Sequence, residues 1–236
     1  MLIGPQNLAV NVTEIRSRIE ASARAAGRDP ATVNLIAVSK SQPAESVRVA
    51  ATLGVTDFGE NYVQEGLAKI AALGEPGLNW HFIGRIQTNK TRDIAQHFSW
   101  VHSVDRLAVA QRLSQQRPFH APPLNLCLQV ALVPEPAKGG LPPAALAETA
   151  ARVADLPRVR LRGLMCVPPF EPDAGAQLAV FSRLAALLAE LREDGLALDT
   201  LSMGMSADFE SAIAAGATQV RIGTALFGER NGGPGR

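Results

Sequence analysis

This chain of 236 residues has two cysteines, Cys127 and Cys166, and a single tyrosine, Tyr62. Two thiols, each inside an apolar run, make neither a disulfide framework nor a zinc site, and they read as small buried hydrophobes. Net charge is almost nil, +1 from 23 basic and 22 acidic residues. That balance argues against a nucleic-acid or membrane-surface partner. No run approaches the ~18 apolar residues of a membrane span, and no basic segment followed by an apolar stretch opens the chain. A soluble, cytoplasmic protein with no metal site is expected. The first strand-like run ends in Ser39-Lys40-Ser41-Gln42-Pro43 rather than a GxGxxG turn, which disfavours the runner-up architecture, a doubly wound sheet.

What is present is a regular alternation. The hydrophobic fraction of 47% suffices for a large core. Leu8, Val12, Ile15 and Ile19 fit one face of an amphipathic helix within Asn7–Ala26, ended by Gly27 and Pro30. Strand-like runs follow at Val33–Ser39, Val55–Gly59, Asn79–Gly84, Trp100–Ser103, Leu124–Leu132, Val159–Cys166, Thr200–Met203 and Gln219–Gly223. A helical pattern follows each run, the Ala-rich Gln177–Glu193 being the clearest. Eight such units in roughly 190 residues predict an α/β fold, a single (β/α)8 TIM barrel. We expect an N-terminal helix packing on the barrel (residues 1–30), the barrel itself (31–228) and a mobile tail (229–236). The proline-rich Pro118–Pro123 and Pro134–Pro143 read as loops.

Two adjacent strand ends carry small hydroxyl residues and glycines, Leu201-Ser-Met-Gly-Met-Ser206 and Val220-Arg-Ile-Gly-Thr-Ala-Leu-Phe-Gly228. Glycine lets backbone N–H groups approach an anion and hydroxyls donate to its oxygens, so this pair reads as a phosphate cup. Lys40 ends the first strand. A lysine at one end of the barrel and a phosphate cup at the other suggest an aldehyde-bearing phosphate, with pyridoxal 5'-phosphate the obvious candidate. Strand parity groups Ile36, Val38 and Lys40 on one face and places Arg221 and Gly223 opposite Val220 and Ile222. If the apolar pair faces the helices, Arg221 points into the barrel beside the first strand. Two cations converging on one cavity call for an anion between them.

The motifs Ala37-Val-Ser-Lys40, Phe58-Gly-Glu-Asn-Tyr-Val-Gln-Glu65, Trp80-His-Phe-Ile-Gly84 with Gln87-Thr-Asn-Lys90, Gly163-Leu-Met165 and the two strand ends above resemble the pyridoxal phosphate homeostasis proteins. These are single-domain relatives of the alanine racemase barrel, and the likeness runs from about residue 7 to 228. The resemblance implies a Schiff base on Lys40, Arg221 facing the pyridine nitrogen, Ser206, Gly223 and Thr224 on the phosphate, and Asn61 lining the pocket. One departure stands out: Ala131 lies where the family usually has an asparagine, so no polar role is expected at that rim.

Each candidate has a structural alternative. Lys40 could be a surface lysine, Arg221 a member of an interior ion pair, and Ser206 or Asn61 a helix cap. Asp208 would be unhelpful beside a phosphate unless it faced solvent. His81 is expected inside the barrel, hydrogen-bonded to a neighbour. Function then follows as intracellular vitamin B6 homeostasis, with apo pyridoxal phosphate enzymes as recipients and a monomer or weak dimer as the assembly. The alternatives are a pared-down amino-acid racemase and a barrel enzyme acting on another sugar phosphate. Racemisation needs a second acid–base group, and the one tyrosine, Tyr62, matches no such role.

Overall fold

The computed structural model describes residues 4–74, 76–133 and 139–228. Eight strands close into a parallel barrel in chain order. They are β1 (Asn34–Val38), β2 (Asp57–Glu60), β3 (Asn79–Phe82), β4 (Trp100–Val104), β5 (Leu124–Gln129), β6 (Val159–Met165), β7 (Thr200–Ser202) and β8 (Gln219–Ile222). The closing pair joins β1 to β8, with Ile36 opposite Arg221. All eight expected strands are present. The largest trimming is in β5, expected to reach Leu132. Beyond Gln129, Leu141 donates to the Gln129 carbonyl (2.7 Å) and receives from the Ala131 amide (2.9 Å), so a returning loop takes the place of a strand partner.

The barrel's faces follow strand parity. Ala37, Val220 and Ile222 join the apolar layer between strands and helices. Ile36 and Val38 point inward, where they meet the backbone of Gly59, and Val38 also packs against Gly223. Outside run α1 (Pro5–Ala25), α2 (Ala44–Thr52), α3 (Val63–Leu73), α4 (Thr91–His97), α5 (Leu107–Gln116), α6 (Leu146–Ala154), α7 (Ala174–Glu193), α8 (Phe209–Ala214) and α9 (Thr224–Phe227).

Helix α1 begins with Pro5, whose missing N–H costs nothing in a first turn. It buries Leu8, Val12, Ile15 and Ile19, each large side chain contributing about 1.5–3 kcal/mol, against α2, α8 and α9. It thereby covers the seam where β8 meets β1. Helix α7 starts at Ala174, earlier than its apolar pattern suggests, because Asp173 accepts from the Ala176 amide (2.7 Å) and caps it. By length and mean hydropathy (1.3) it alone, among the described residues, would pass for a membrane span. Here it is a ring helix of the barrel, with Phe181, Leu184, Leu188 and Leu191 buried. The tail from Glu229 and the loop around Glu135–Lys138 lie outside the described residues.

Candidate functional site

Because every strand runs the same way, every strand's C-terminal end opens on one mouth, the usual location of a barrel's active site. Lys40 follows β1, Asn61 follows β2, Ser206 follows β7, and Gly223 and Thr224 follow β8. The lysine and the small-residue cluster therefore share one end of the barrel, not opposite ends. Parallel pairing of β1 with β8 dictates this.

Helix α3 holds the turn that carries Lys40. The Lys69 ammonium donates to the Ser39 carbonyl (2.6 Å), to Glu60 Oε1 (2.7 Å) and to Glu65 Oε1 (2.7 Å). Ser39 Oγ donates to Glu60 Oε1 (2.6 Å), and the Ser41 amide donates to Glu65 Oε1. Ser41 has φ +62°, a left-handed conformation that costs a non-glycine residue energy unless its surroundings enforce it. Lys40 is thus fixed on both sides, through the carbonyl before it and the amide after it. Burial pushes the Glu60 carboxyl up from its ordinary value, and the Lys69 charge with the Lys69 and Ser39 hydrogen bonds pulls back. Sequence reading quoted Glu60 and Glu65 only within a motif and passed over Lys69. The i, i+4 Glu65–Lys69 spacing was the available signal.

Arg221 is buried in the barrel interior (4% exposed). Its Nη1 donates to Ser202 Oγ (2.7 Å) and its Nη2 to the Cys166 carbonyl (2.9 Å). It forms no ion pair among the described residues, so the ion-pair alternative does not hold. His81 is fully buried, as expected, between Asp57 and His102. Both thiols are buried, and burial pushes each up to about 12, consistent with their reading as inert hydrophobes.

At the β7 and β8 ends, Ser206 does not cap α8; its hydroxyl instead faces the Ala225 amide (3.4 Å) in the first turn of α9. The backbone N–H groups of Ser206 and Thr224 have no protein acceptor among the described residues. Gly204 adopts φ +90° with its α-carbon against Phe209 and Ala212, so the turn leaving β7 has no room for a side chain. Asp208 does not simply face solvent. Its carboxylate accepts from the Met205 amide (2.6 Å), and burial raises its pKa.

Asn61 does not cap α3 either, whose first helical residue follows Tyr62 without a side-chain bond. Its backbone packs directly on Gly84, where a Cβ would overlap the Asn61 carbonyl, and its Oδ1 is shielded from water without a donor. Asn61 borders a cavity of about 460 Å³ that also meets Tyr62, Phe82, Arg85 and Lys90. Ala131 donates its amide to the Leu141 carbonyl, and its methyl packs beside Gly140.

An amine on a constrained turn, a buried guanidinium and a set of uncommitted hydroxyl and amide donors suit a phosphorylated aldehyde with an acceptor ring atom. The family described as alanine racemase, N-terminal domain, matches residues 10–231. A pyridoxal phosphate homeostasis protein of Pseudomonas aeruginosa is 58% identical over 226 residues, covering 96% of this chain and 97% of that protein. The chain belongs to the pyridoxal phosphate homeostasis protein family. A solved structure of PipY from Synechococcus elongatus, with PLP bound, superposes with TM-score 0.84 at 41% identity, covering 94% of this chain and all (100%) of that one. An alanine racemase of Clostridium difficile shares the barrel at TM-score 0.72 and 14% identity, covering 96% of this chain but 58% of that one. That more distant likeness concerns the fold alone, whereas the homeostasis-protein relatives match along nearly their whole length.

Proposed function

We propose that this protein holds pyridoxal 5'-phosphate as a Schiff base on Lys40 and serves intracellular vitamin B6 homeostasis rather than bulk catalysis. The observation that carries the reading is that Lys40, on a doubly anchored turn, follows β1 at the same barrel end at which the neighbouring β8, bearing the buried Arg221, terminates. The name of the Pseudomonas aeruginosa relative and the PLP bound to PipY support the choice of ligand.

Each side chain then has a role. Lys40 supplies the primary amine that a carbonyl carbon requires. Ser206 and Thr224 offer hydroxyls, and with Gly223 they offer backbone donors, to the phosphate. Gly223 allows that approach because no side chain intervenes beside Val38. Asn61, which follows β2 at the same end of the barrel, lines the pocket. Arg221 gives N–H donors to the ring nitrogen and keeps its own proton, so that nitrogen stays unprotonated. When bound, pyridoxal phosphate supplies an electrophilic carbonyl and an electron sink, and an unprotonated ring nitrogen weakens the sink.

The same residues argue against racemisation. A racemase removes a proton on one face and returns one on the other, and needs two positioned groups. Tyr62, the one tyrosine, is 62% exposed at the start of α3. Apo pyridoxal phosphate enzymes are the proposed recipients, from a cytoplasmic monomer or weak dimer. Two buried, unpaired thiols suit that reducing setting.

The test adds pyridoxal phosphate to purified protein and follows its visible absorption. A band in wild type that is lost in Lys40→Ala supports the reading. A band unchanged by Lys40→Ala, or one that borohydride does not remove, contradicts it.

A further inference from the structure

Four side chains from four strands connect across the barrel interior to Arg221. Ser202 Oγ, which accepts from Arg221 Nη1, lies 2.8 Å from His102 Nδ1. His102 Nε2 lies 2.9 Å from His81 Nδ1, and His81 Nε2 lies 2.9 Å from Asp57 Oδ1. Asp57, His81, His102, Ser202 and Arg221 stand on β2, β3, β4, β7 and β8, and none is more than 7% exposed. The His81 ring stacks on Trp100 at 5.6 Å between centroids, with Arg162 over the Trp100 ring, so an aromatic wall lines the histidine pair.

With both rings neutral and Asp57 ionised, one assignment of protons satisfies every contact. A guanidinium only donates, so Ser202 Oγ accepts from Arg221 and its own hydrogen goes to His102 Nδ1. His102 then carries its proton on Nε2 and donates to His81 Nδ1. His81 carries its proton on Nε2 and donates to Asp57. Burial, the charge His81 would carry if protonated, and the Arg221 charge lower His102 well below its usual range, and burial lowers His81 against the pull of Asp57. Burial alone would raise Asp57, but hydrogen bonds from His81, Thr56 and Asn34 bring it below the ordinary carboxylate value. Asp208 and the Cys166 and Cys127 thiols are the other titratable groups near Arg221.

We propose that Asp57, His81, His102 and Ser202 are positioning residues for Arg221, a one-way hydrogen-bonded relay that fixes its guanidinium and sets the Asp57 carboxylate as its distant counter-charge. The relay holds two of the five N–H groups of Arg221 in place, together with the Cys166 carbonyl, and leaves the others for a ligand. This rests on the reading that Arg221 faces the ring of pyridoxal phosphate.

Two measurements test it. The first uses the ligand-free protein and records histidine ¹⁵N shifts from pH 8 to pH 6. His81 and His102 should both show the neutral form protonated on Nε2 across that range. Protonation on Nδ1, or titration of either ring at an ordinary histidine value, overturns the relay. The second compares pyridoxal phosphate binding in Ser202→Ala, Ser202→Thr and Asp57→Asn, each confirmed as folded by thermal unfolding. Ser202→Ala should weaken binding about five- to fiftyfold and move the band's maximum. Ser202→Thr, which keeps the hydroxyl, should restore most of both, and Asp57→Asn should shift the band in the same direction as Ser202→Ala. Wild-type affinity and spectrum in both Ser202→Ala and Asp57→Asn overturn the proposal. Failure of wild type to form a Lys40-dependent band would strike the cofactor reading instead, and the ¹⁵N measurement would still decide the relay.

Discussion

Replacing Lys69 with methionine tests the bracket that fixes the Lys40 turn. Lys69 is 4% exposed and its partner Glu60 is fully buried. Methionine matches the stem of the lysine but leaves the Glu60 carboxylate with only the Ser39 hydroxyl on Oε1, its Oε2 already lacking a donor. Removing one partner of a buried ion pair costs about 3–5 kcal/mol, because an uncompensated charge stays behind. At roughly 2–4 °C per kcal/mol for a chain of this size, Tm should fall by about 6–20 °C. The loss should depend on pH with a definite sign. Burial already holds the folded pKa of Glu60 above its unfolded value, and without Lys69 it rises further. A raised folded pKa means that stability is fully present below the unfolded pKa and lost as pH rises through the folded one. The deficit of Lys69→Met should therefore be largest near pH 7.5 and shrink toward pH 5, as Glu60 is protonated. Glu60→Gln combined with Lys69→Met should recover most of the loss at neutral pH. Denaturant melts of wild type, both single variants and the double variant supply the full cycle. A Lys69→Met protein within 1 kcal/mol of wild type at pH 7.5, or a deficit independent of pH, refutes the reasoning.

Ser206→Ala and Thr224→Ala should each weaken pyridoxal phosphate binding by about ten- to a hundredfold, the worth of roughly 1.5–3 kcal/mol for a hydrogen bond to a charged group. Pyridoxal without its phosphate should bind weakly, and equal affinity for the two would place the phosphate site elsewhere. His102 and His81 have folded pKa values below their unfolded ones, so the unfolded chain binds more protons and stability should fall as pH drops below about 6.5. The slope approaches about 1.4 kcal/mol per pH unit for each ring, and urea melts of His102→Gln should show a shallower one. Loss of α-deuterium from free amino acids should stay far below the ordinary enzyme range of ~1–1000 per second. A kcat within that range makes the protein a racemase.

The barrel was legible in the sequence because short strand-like runs alternate with helical patterns, Ala-rich and clearest in Gln177–Glu193. Strand parity gave the shared face of Ile36 and Val38, which the packing around Gly59 and Gly223 places inward, and the inward face of Arg221, which its burial and its bonds to Ser202 and Cys166 bear out. Strand ends were less legible. Val130 to Leu132 are as apolar as a strand, and only a contact with the returning Leu141 loop tells where pairing stops. At the candidate site, the residues proposed from sequence follow strand ends, where composition changes visibly, apart from Arg221 inside β8. Of the polar interior, only His81 was expected, inside the barrel and bonded to a neighbour; its partners Asp57 and His102 were not foreseen, because parity within one strand does not tell which side chains of other strands reach it. Asp57 and Ser202 fell inside the expected strands Val55–Gly59 and Thr200–Met203, and only the closed barrel brings them to one interior chain of hydrogen bonds. The Lys69 bracket was missed for a different reason. A lysine on an amphipathic helix reads as solvated, and only the fold reveals a buried carboxylate beneath it.

Lys40 as the attachment point is the claim on which the rest depends. Protein saturated with pyridoxal phosphate, reduced with borohydride and digested, should carry the pyridoxyl mass on the peptide containing Lys40, with little label elsewhere. Modification concentrated on Lys69, Lys90 or Lys138, or a reduced protein without any adduct, contradicts the account.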